Sequence, residues 1–191
     1  MFKVISEFFK LVKGDLGSKS FWFALLCSCV NLFPGKSGSY LRTLLLTYSI
    51  GAVGKNSFFL GNVTIIHPDR LIIGKNVLLN KDLYVQASGK VDIDDFTILG
   101  PSVKIWSLNH VFIDPKIWIP EQGYEYLPVK IGKHVWVGAN VFIMPGTTIG
   151  DYCIVSAGSV VGAKVYPPGS ILAGNPARKI GTRILPDDFL P

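Results

Sequence analysis

A six-residue period governs residues 131–166. From Ile131 the chain divides into the hexapeptides IGKHVW, VGANVF, IMPGTT, IGDYCI, VSAGSV and VGAKVY, each of which begins with Ile or Val. A period of six is neither the 3.6 of an α-helix nor the 2 of a flat strand. It predicts a coil in which short strands and turns alternate. Three hexapeptides would close one triangular turn, and successive turns would stack about 4.8 Å apart around an aliphatic core.

An earlier block follows the same rule with interruptions. Its hexapeptides are IGKNVL at 73–78, LNKDLY at 79–84, IDDFTI at 93–98 and LGPSVK at 99–104. The phase slips by two residues between Val85 and Ile93, which predicts an enlarged corner. The 20 glycines and 12 prolines are typical of short extended segments joined by tight turns. We therefore predict an all-β dominated chain, with a parallel β-helix over 51–172 and a C-terminal tail over 173–191.

The period disappears over residues 106–130, so this segment is expected to leave the coil as a protruding loop. Long loops inside regular folds more often carry function than not. The loop begins with Asn109-His110 and continues through Asp114-Pro115. A neutral imidazole at His110 can take a proton from a hydroxyl or an amine near pH 7. The other two histidines, His67 in a turn and His134 at a repeat corner, are expected to be structural.

Residues 1–50 have no sixfold period and are predicted to be helical. Val4, Ile5, Phe8, Phe9 and Val12 share one helical face, and Tyr40–Tyr48 predicts a second helix. Residues 1–42 carry about +4 of the net charge of +6. Two interpretations remain open: the helices cap the exposed end of the coil stack, or they attach the protein to an anionic membrane surface.

Several classes of protein are disfavoured by composition. The sequence has no cluster of basic residues interleaved with aromatic residues, the pattern that is typical of nucleic-acid-binding proteins. We therefore expect no nucleic-acid partner. Cys27 and Cys29 are too close in sequence for ordinary disulfide geometry, and Cys153 is far from both. The chain has no second cysteine pair that would complete a zinc site. We therefore expect a reducing compartment. The apolar run at 21–30 is too short to span a bilayer, and no cleavable signal surrounds it. We expect a cytoplasmic protein, with or without peripheral contact at the inner membrane face.

Together the repeats, the Asn109-His110 loop and the closing segment 173–178 (AGNPAR) resemble the hexapeptide-repeat acetyltransferases. The resemblance covers about residues 50–182 and is closest to the branch that acetylates maltose, galactosides and bacterial polysaccharides. It implies a left-handed β-helix, a homotrimer and active sites between neighbouring subunits. It also implies direct transfer of an acetyl group from acetyl-CoA to a saccharide hydroxyl, with His110 as general base beside Asn109.

The same resemblance assigns binding roles. Asn80 and Asp82 match an acceptor-binding Asn-x-Asn element, although the second Asn is Asp here. Trp136 matches an aromatic residue near the CoA cleft and is equally consistent with an interface residue. The remaining matches are small residues along the pantetheine arm and basic residues near the CoA phosphates, namely Ala139, Ala157, Gly158, Lys164, Arg178 and Lys179.

The basic, apolar N-terminus and its LFPGKSGSYLR segment resemble enzymes of exopolysaccharide, capsule or O-antigen synthesis, which act on saccharide or lipid-linked glycan acceptors. Two alternatives stay open at this point. One is a sugar N-acyltransferase. The other is a zinc enzyme like the γ-class carbonic anhydrases, which needs closely spaced histidines in consecutive coils, whereas His110 and His134 lie 24 positions apart. We expect no metal.

Overall fold

The computed structural model describes the backbone of residues 2–185 and the side chains of these residues except 2–6, 8, 9 and 20. Its N-terminal part consists of three helices, α1 (Phe2–Leu16), α2 (Lys19–Asn31) and α3 (Gly35–Thr47). The rest is a solenoid of short strands interrupted by one hairpin, with short 3₁₀ turns at Pro68–Arg70 and Ile119–Glu121. A mostly β architecture with a helical N-terminal segment is therefore confirmed.

The solenoid strands form three sheets. Sheet A contains β1 (Ala52–Val53), β4 (Leu71–Ile73), β7 (Val91–Ile93), β12 (Val129–Ile131), β15 (Thr148–Ile149) and β18 (Val165–Tyr166). Sheet B contains β2 (Phe58–Phe59), β5 (Leu78–Leu79), β8 (Ile98–Leu99), β13 (Trp136–Val137), β16 (Ile154–Val155), β19 (Ser170–Gly174) and the antiparallel β20 (Ala177–Thr182). Sheet C contains β3 (Val63–Ile66), β6 (Leu83–Gln86), β9 (Lys104–Trp106), β14 (Phe142–Ile143) and β17 (Val160–Val161). The chain visits A, B and C in turn, as a β-helix requires.

One inward side chain per strand builds the core. Along the chain these residues are Val53, Phe59, Ile65, Ile73, Leu79, Val85, Ile93, Leu99, Ile105, Ile131, Val137, Ile143, Ile149, Val155, Val161, Tyr166 and Leu172; Val53 is half-buried and the others are buried. The six-residue step and the predicted aliphatic column are confirmed. The predicted β-helix range of 51–172 includes the first coil at 52–66, but its individual hexapeptides were not identified from the sequence, because Phe59 is aromatic and the step from Ile65 to Ile73 is eight residues.

Helices α2 and α3 cover the open end of the solenoid, and Arg42 fastens them to it. Its side chain is only 2% exposed. The guanidinium donates hydrogen bonds to the carbonyls of Val30 at 3.1 Å and Phe33 at 2.8 Å, at the end of α2, and to Leu60 at 3.0 Å in the first coil. Burial lowers the pKa of this group. These contacts show that the two helices cap the stack.

The helical segment differs in detail from the prediction. The helix expected at 40–48 begins earlier, at Gly35, and residues 19–31, inside the segment predicted to be helical, form a further helix whose bounds were not predicted. The face predicted from Val4, Ile5, Phe8 and Phe9 lies outside the described side chains. Within residues 2–185, no helix is both long and apolar enough to cross a bilayer.

At the other end of the chain, the segment predicted as a tail begins inside a sheet. Ala173 and Gly174 belong to β19, and β20 returns antiparallel to it after a turn at Asn175-Pro176. Residues 173–182 therefore extend sheet B, and the final residues 186–191 lie outside the described structure.

Candidate active site

The loop at 106–130 is a β-hairpin fixed on the solenoid. Its strands are β10 (Leu108–His110) and β11 (Tyr124–Tyr126), paired antiparallel. At the base of the hairpin, the Leu127 amide donates to the Ser107 carbonyl at 2.9 Å. The buried Ser107 hydroxyl donates in turn to the carbonyl of Gln86, in the coil below, at 2.7 Å. The base of the hairpin is thus held in place by hydrogen bonds to the regular coil.

His110 sits at the outer end of β10 with its ring against Tyr124. The ring centroids are 4.5 Å apart and the planes meet at 41°. Both side chains are exposed, and no carboxylate of the described residues lies within ion-pairing distance of the imidazole. Because alternate strand residues point to opposite faces, Asn109 and its register partner Glu125 occupy the other face. An exposed imidazole held by a hairpin and an aromatic neighbour suits a general base. Sequence reasoning missed Tyr124.

The tip of the hairpin is ordered by Gln122. Its side-chain amide donates to the carbonyls of Asp114 at 2.9 Å and Ile117 at 2.8 Å, and accepts from the Asp114 amide at 3.0 Å. These bonds hold a loop whose apolar side chains face outward, since Ile113 is 86% exposed and Trp118 is 69% exposed. The hairpin tip therefore combines an ordered backbone with an exposed apolar surface.

The small residues predicted to contact CoA line the corner between sheets B and C. Ala139 follows β13, and Ala157 and Gly158 follow β16 one coil above. The Gly158 amide donates to the Ala139 carbonyl at 2.8 Å, and a Cβ on Gly138 would lie 2.6 Å from the Ala157 nitrogen. The backbones therefore approach closely here, and no bulky side chain interrupts the corner. We name this feature the shelf.

Asn80 and Asp82 lie on the same B–C corner, lower in the stack. The Asn80 side-chain amide donates to the Leu99 carbonyl at 2.8 Å, so its nitrogen supports the scaffold and its oxygen remains available. Asp82 adopts a left-handed conformation, with φ at 60°, and accepts a hydrogen bond from the Asn62 side chain at 3.2 Å. The exposed Asp82 carboxylate can accept further bonds from hydroxyl groups.

The predicted basic residues divide between two places. Lys164 lies at the corner between sheets C and A, the corner from which the hairpin leaves, with its Nζ 5.0 Å from the Tyr166 ring centroid. Arg178 and Lys179 lie on β20 beside β19, at the end of sheet B, and both are exposed. These guanidinium and ammonium groups can pair with phosphates.

Taken together, the predicted site residues form two half-sites in one chain. His110, Asn109 and Lys164 belong to the C–A corner, whereas the shelf, Asn80 and Asp82 belong to the B–C corner. Sheet C lies between these corners. A single chain therefore does not bring the imidazole onto its own shelf. The location of the site between subunits stays a prediction.

Sheet B presents an apolar outer row that sequence reasoning missed. Register pairs connect its members from the first coil to the last: Phe58, Leu78, Ile98, Trp136, Ile154 and Ile171. Trp136 is 53% exposed within this row. The corresponding row of sheet A includes Asp92 and Lys130. The sequence carries a pattern from which this row could have been predicted: the residue that precedes each core position is apolar in all of these sheet B strands.

His134 lies away from His110, at the corner between sheets A and B. Its ring is stacked between Phe96, at a centroid distance of 4.7 Å, and Tyr152, at 4.9 Å. Among the described residues, no three His, Cys, Asp or Glu side chains are grouped closely enough to hold a metal ion. The stacking agrees with the structural role predicted for His134.

Comparison with known proteins identifies the family. A profile described as "Bacterial transferase hexapeptide (six repeats)" matches residues 128–163. The galactoside O-acetyltransferase of Escherichia coli K12 is 32% identical over 139 residues, 73% of this chain and 67% of that protein. The chain belongs to the hexapeptide-repeat acetyltransferases. Several other curated members are matched over little more than half of their own length.

Solved structures of the family agree with the fold. A maltose O-acetyltransferase from Clostridium difficile 630 superimposes with a TM-score of 0.75 at 31% identity, covering 85% of this chain and 87% of that one. A galactoside acetyltransferase in complex with coenzyme A gives a TM-score of 0.72 at 28% identity, covering 83% and 80%. As a hexapeptide-repeat acetyltransferase, this protein is an acyltransferase whose candidate site comprises the hairpin histidine and the shelf.

Proposed function

We propose that this protein transfers an acetyl group from acetyl-CoA to a hydroxyl group of a saccharide, with His110 as the general base. The exposed imidazole on a fixed hairpin is the observation that carries the proposal. A sugar hydroxyl is a poor nucleophile near neutral pH, and an adjacent neutral imidazole removes its proton as the oxygen attacks. The relatives named for galactosides and maltose support a saccharide as the acceptor.

The shelf and the basic residues fit the acyl donor. Acetyl-CoA, when bound, would supply a thioester: the acceptor oxygen would form a bond to its carbonyl carbon, the C–S bond would break, and the proton taken up by His110 would pass to the departing CoA sulfur. Ala139 and Gly158 leave the corner open for an extended chain, and Arg178 with Lys179 presents positive charge for phosphates. Asn80 and Asp82, on the same corner, offer oxygen atoms to sugar hydroxyls.

Assembly into a homotrimer would complete the site. The half-sites lie on different corners of one chain, so the imidazole of one subunit would face the shelf of its neighbour. The apolar row of sheet B offers the surface for this contact, because a soluble monomer seldom exposes a continuous apolar stripe.

The biological setting we propose is synthesis of a bacterial surface polysaccharide at the inner face of the membrane. The helical segment supports peripheral contact, since it exposes apolar side chains such as Leu11, Trp22 and Leu32 together with Lys10 and Lys13. Apolar and basic groups together favour an anionic lipid surface.

Replacement of His110 tests the catalytic proposal. We expect His110→Ala to lower the rate of saccharide-dependent CoA release by about 10²- to 10⁴-fold, because general-base catalysis contributes about that much. The matched control is His67→Ala, which removes another exposed histidine far along the sequence from the hairpin. CoA thiol can be followed in a colorimetric assay with galactosides and maltosides. Full CoA release by His110→Ala with all acceptors would refute the mechanism, and release with amino sugars alone would favour N-acylation.

A further inference from the structure

A groove between α2 and the first coil has the character of a binding site. Its volume is about 640 Å³. Among the described side chains, those that line it are Lys19, Trp22, Phe23, Leu26, Ser49, Pro68 and Asp69. Small-molecule sites have volumes of about 300–1,000 Å³ and are mostly apolar, with a few polar groups that fix orientation. The groove matches this description, and none of its lining residues belongs to the proposed acetyl-transfer site.

The groove opens at the corner that also carries the catalytic hairpin. Pro68 and Asp69 form the C–A corner of the first coil, and the hairpin leaves the C–A corner two coils above. Hydrogen bonds run up this corner, from the Arg70 side chain to the Ser88 carbonyl and from the Gly89 amide to the Ser107 hydroxyl. At about 4.8 Å per coil, the base of the hairpin is roughly 10 Å above the groove.

The charged residues of the described lining are Lys19 and Asp69, and the neighbouring Arg70, which does not line the groove, brings the sum of the three to one positive charge. Asp69 lies 3.8 Å from the Nε atom of Arg70, which offsets its charge. Lys19 is exposed, and no carboxylate among the described side chains lies within 4.0 Å of its ammonium group. The apolar wall of Phe23 and Leu26 therefore adjoins a cation, an arrangement that suits an amphiphile with an anionic head group.

We propose that this groove holds the hydrocarbon anchor of a phosphate-linked glycan, the acceptor of the acetyl group. The chain would pack against Trp22, Phe23 and Leu26, and Lys19 would pair with the phosphate. The saccharide would then extend along the C–A corner towards His110. This inference rests on the proposed acetyl transfer to a saccharide and specifies which saccharides are used: those that carry a single lipid chain.

Direct binding is tested with dodecyl phosphate below its critical micelle concentration, by calorimetry on the full chain. We expect saturable binding of one molecule per chain and no measurable binding of butyl phosphate. Leu26→Glu should weaken binding roughly tenfold or more, because it places a carboxylate in the apolar wall. Leu25→Glu is the matched control, since Leu25 is the adjacent residue of α2, is 42% exposed and does not line the groove. Leu26→Ala, a milder change, should weaken binding less and guards against a folding defect.

Acceptor preference supplies the second measurement. The wild-type protein should acetylate octyl β-maltoside with a higher kcat/KM than methyl β-maltoside. Leu26→Glu should abolish this preference, whereas Leu25→Glu should retain it and leave the rate with the methyl glycoside unchanged. Equal losses in Leu25→Glu and Leu26→Glu, or no binding of dodecyl phosphate by the wild type, would overturn the proposal.

The outcomes distinguish a failure of the lipid-binding proposal from a failure of the proposed acetyl transfer. If dodecyl phosphate binds as expected but no glycoside is acetylated, the proposed function fails while the groove remains a lipid site. If maltosides are acetylated without any chain-length preference, the proposed function stands and the lipid-linked acceptor is refuted. Displacement of bound dodecyl phosphate by phosphatidylglycerol vesicles, with no chain-length preference, would assign the groove to a membrane lipid and overturn the inference.

Discussion

Arg42 is the residue on which the junction between the helices and the solenoid depends. Its guanidinium donates to carbonyl groups at the end of α2 and in the first coil, and so joins the two elements. The Val30 and Leu60 carbonyls also accept from the Phe33 amide and the Ser39 hydroxyl. Buried carbonyls without a donor are costly, and a buried cation is tolerated only where its hydrogen bonds are complete. The sequence did not reveal this role, because Arg42 appears there simply as one of several basic residues near the N-terminus.

We expect Arg42→Met to lower the free energy of unfolding by about 3 kcal/mol, because it removes the charge-assisted hydrogen bonds to the Val30, Phe33 and Leu60 carbonyls from a buried position. Lys36→Met is the control, as Lys36 is exposed on the same helix and should change stability by less than about 0.5 kcal/mol. Urea denaturation followed by circular dichroism measures both. Equal stability of Arg42→Met and Lys36→Met would show that the guanidinium does not stabilise the contact between the helices and the solenoid.

At the scale of elements, the six-residue period was sufficient to predict most of the coils. The inward aliphatic position repeats in register with the strands, so the core positions from Ile73 to Val161 followed from the sequence. Tyr166, five residues after Val161, did not follow from the period. Helix α2 did not follow, because its apolar residues continue around the helix and resemble a buried run. The hairpin was predicted only as a loop. Its pairing of His110 with Tyr124 depends on a register that no local pattern specifies.

Helix α1 is the element to which we assign contact with the membrane. Its described side chains include the exposed Leu11, Lys10 and Lys13, whereas α2 and α3 already cap the solenoid. Removal of residues 2–15 should therefore preserve thermal stability and abolish flotation with phosphatidylglycerol vesicles. The deletion retains Leu16, whose carbonyl accepts a hydrogen bond from the Trp22 indole at 2.9 Å.

Two observations complete this test. A double variant, Lys10→Gln with Lys13→Gln, should weaken flotation in a salt-dependent way, because it removes charge and keeps the helix. Binding of dodecyl phosphate should persist in the deletion, since the groove is lined by α2 and the first coil. Unchanged flotation after removal of α1 would contradict the assignment of membrane contact to this helix.

At the scale of the whole molecule, the candidate site depends on how the coils distribute residues among corners. Matching motifs predicted which residues take part, but the period alone did not show that His110 and Ala139 occupy different corners. The corner that a residue occupies depends on the sheet to which the preceding strand belongs. This assignment of strands to sheets is known only from the three-dimensional structure. In the homotrimer that we propose, burial of the apolar row of sheet B would remove a continuous apolar surface from water and so favour association.

The homotrimer that we propose has a defined molecular mass, which can be measured. Light scattering should give about 63 kDa, three times the chain mass of 20.9 kDa. Trp136→Glu should lower this mass by placing charge in the apolar row, whereas Val165→Glu, on the exposed outer side of sheet A, should not. His110→Ala and Ala139→Trp should each be inactive, the second because a large ring blocks the shelf.

Mixing these two inactive variants by unfolding and refolding them together distinguishes shared sites from separate ones. If the imidazole of one subunit acts on the shelf of its neighbour, random mixed trimers contain sites in which both halves are intact. Equal amounts of the two variants should then recover about a quarter of the wild-type CoA release, since each half is intact with a chance of one in two. A site contained within one chain would recover nothing, because every chain in the mixture carries one of the two lesions.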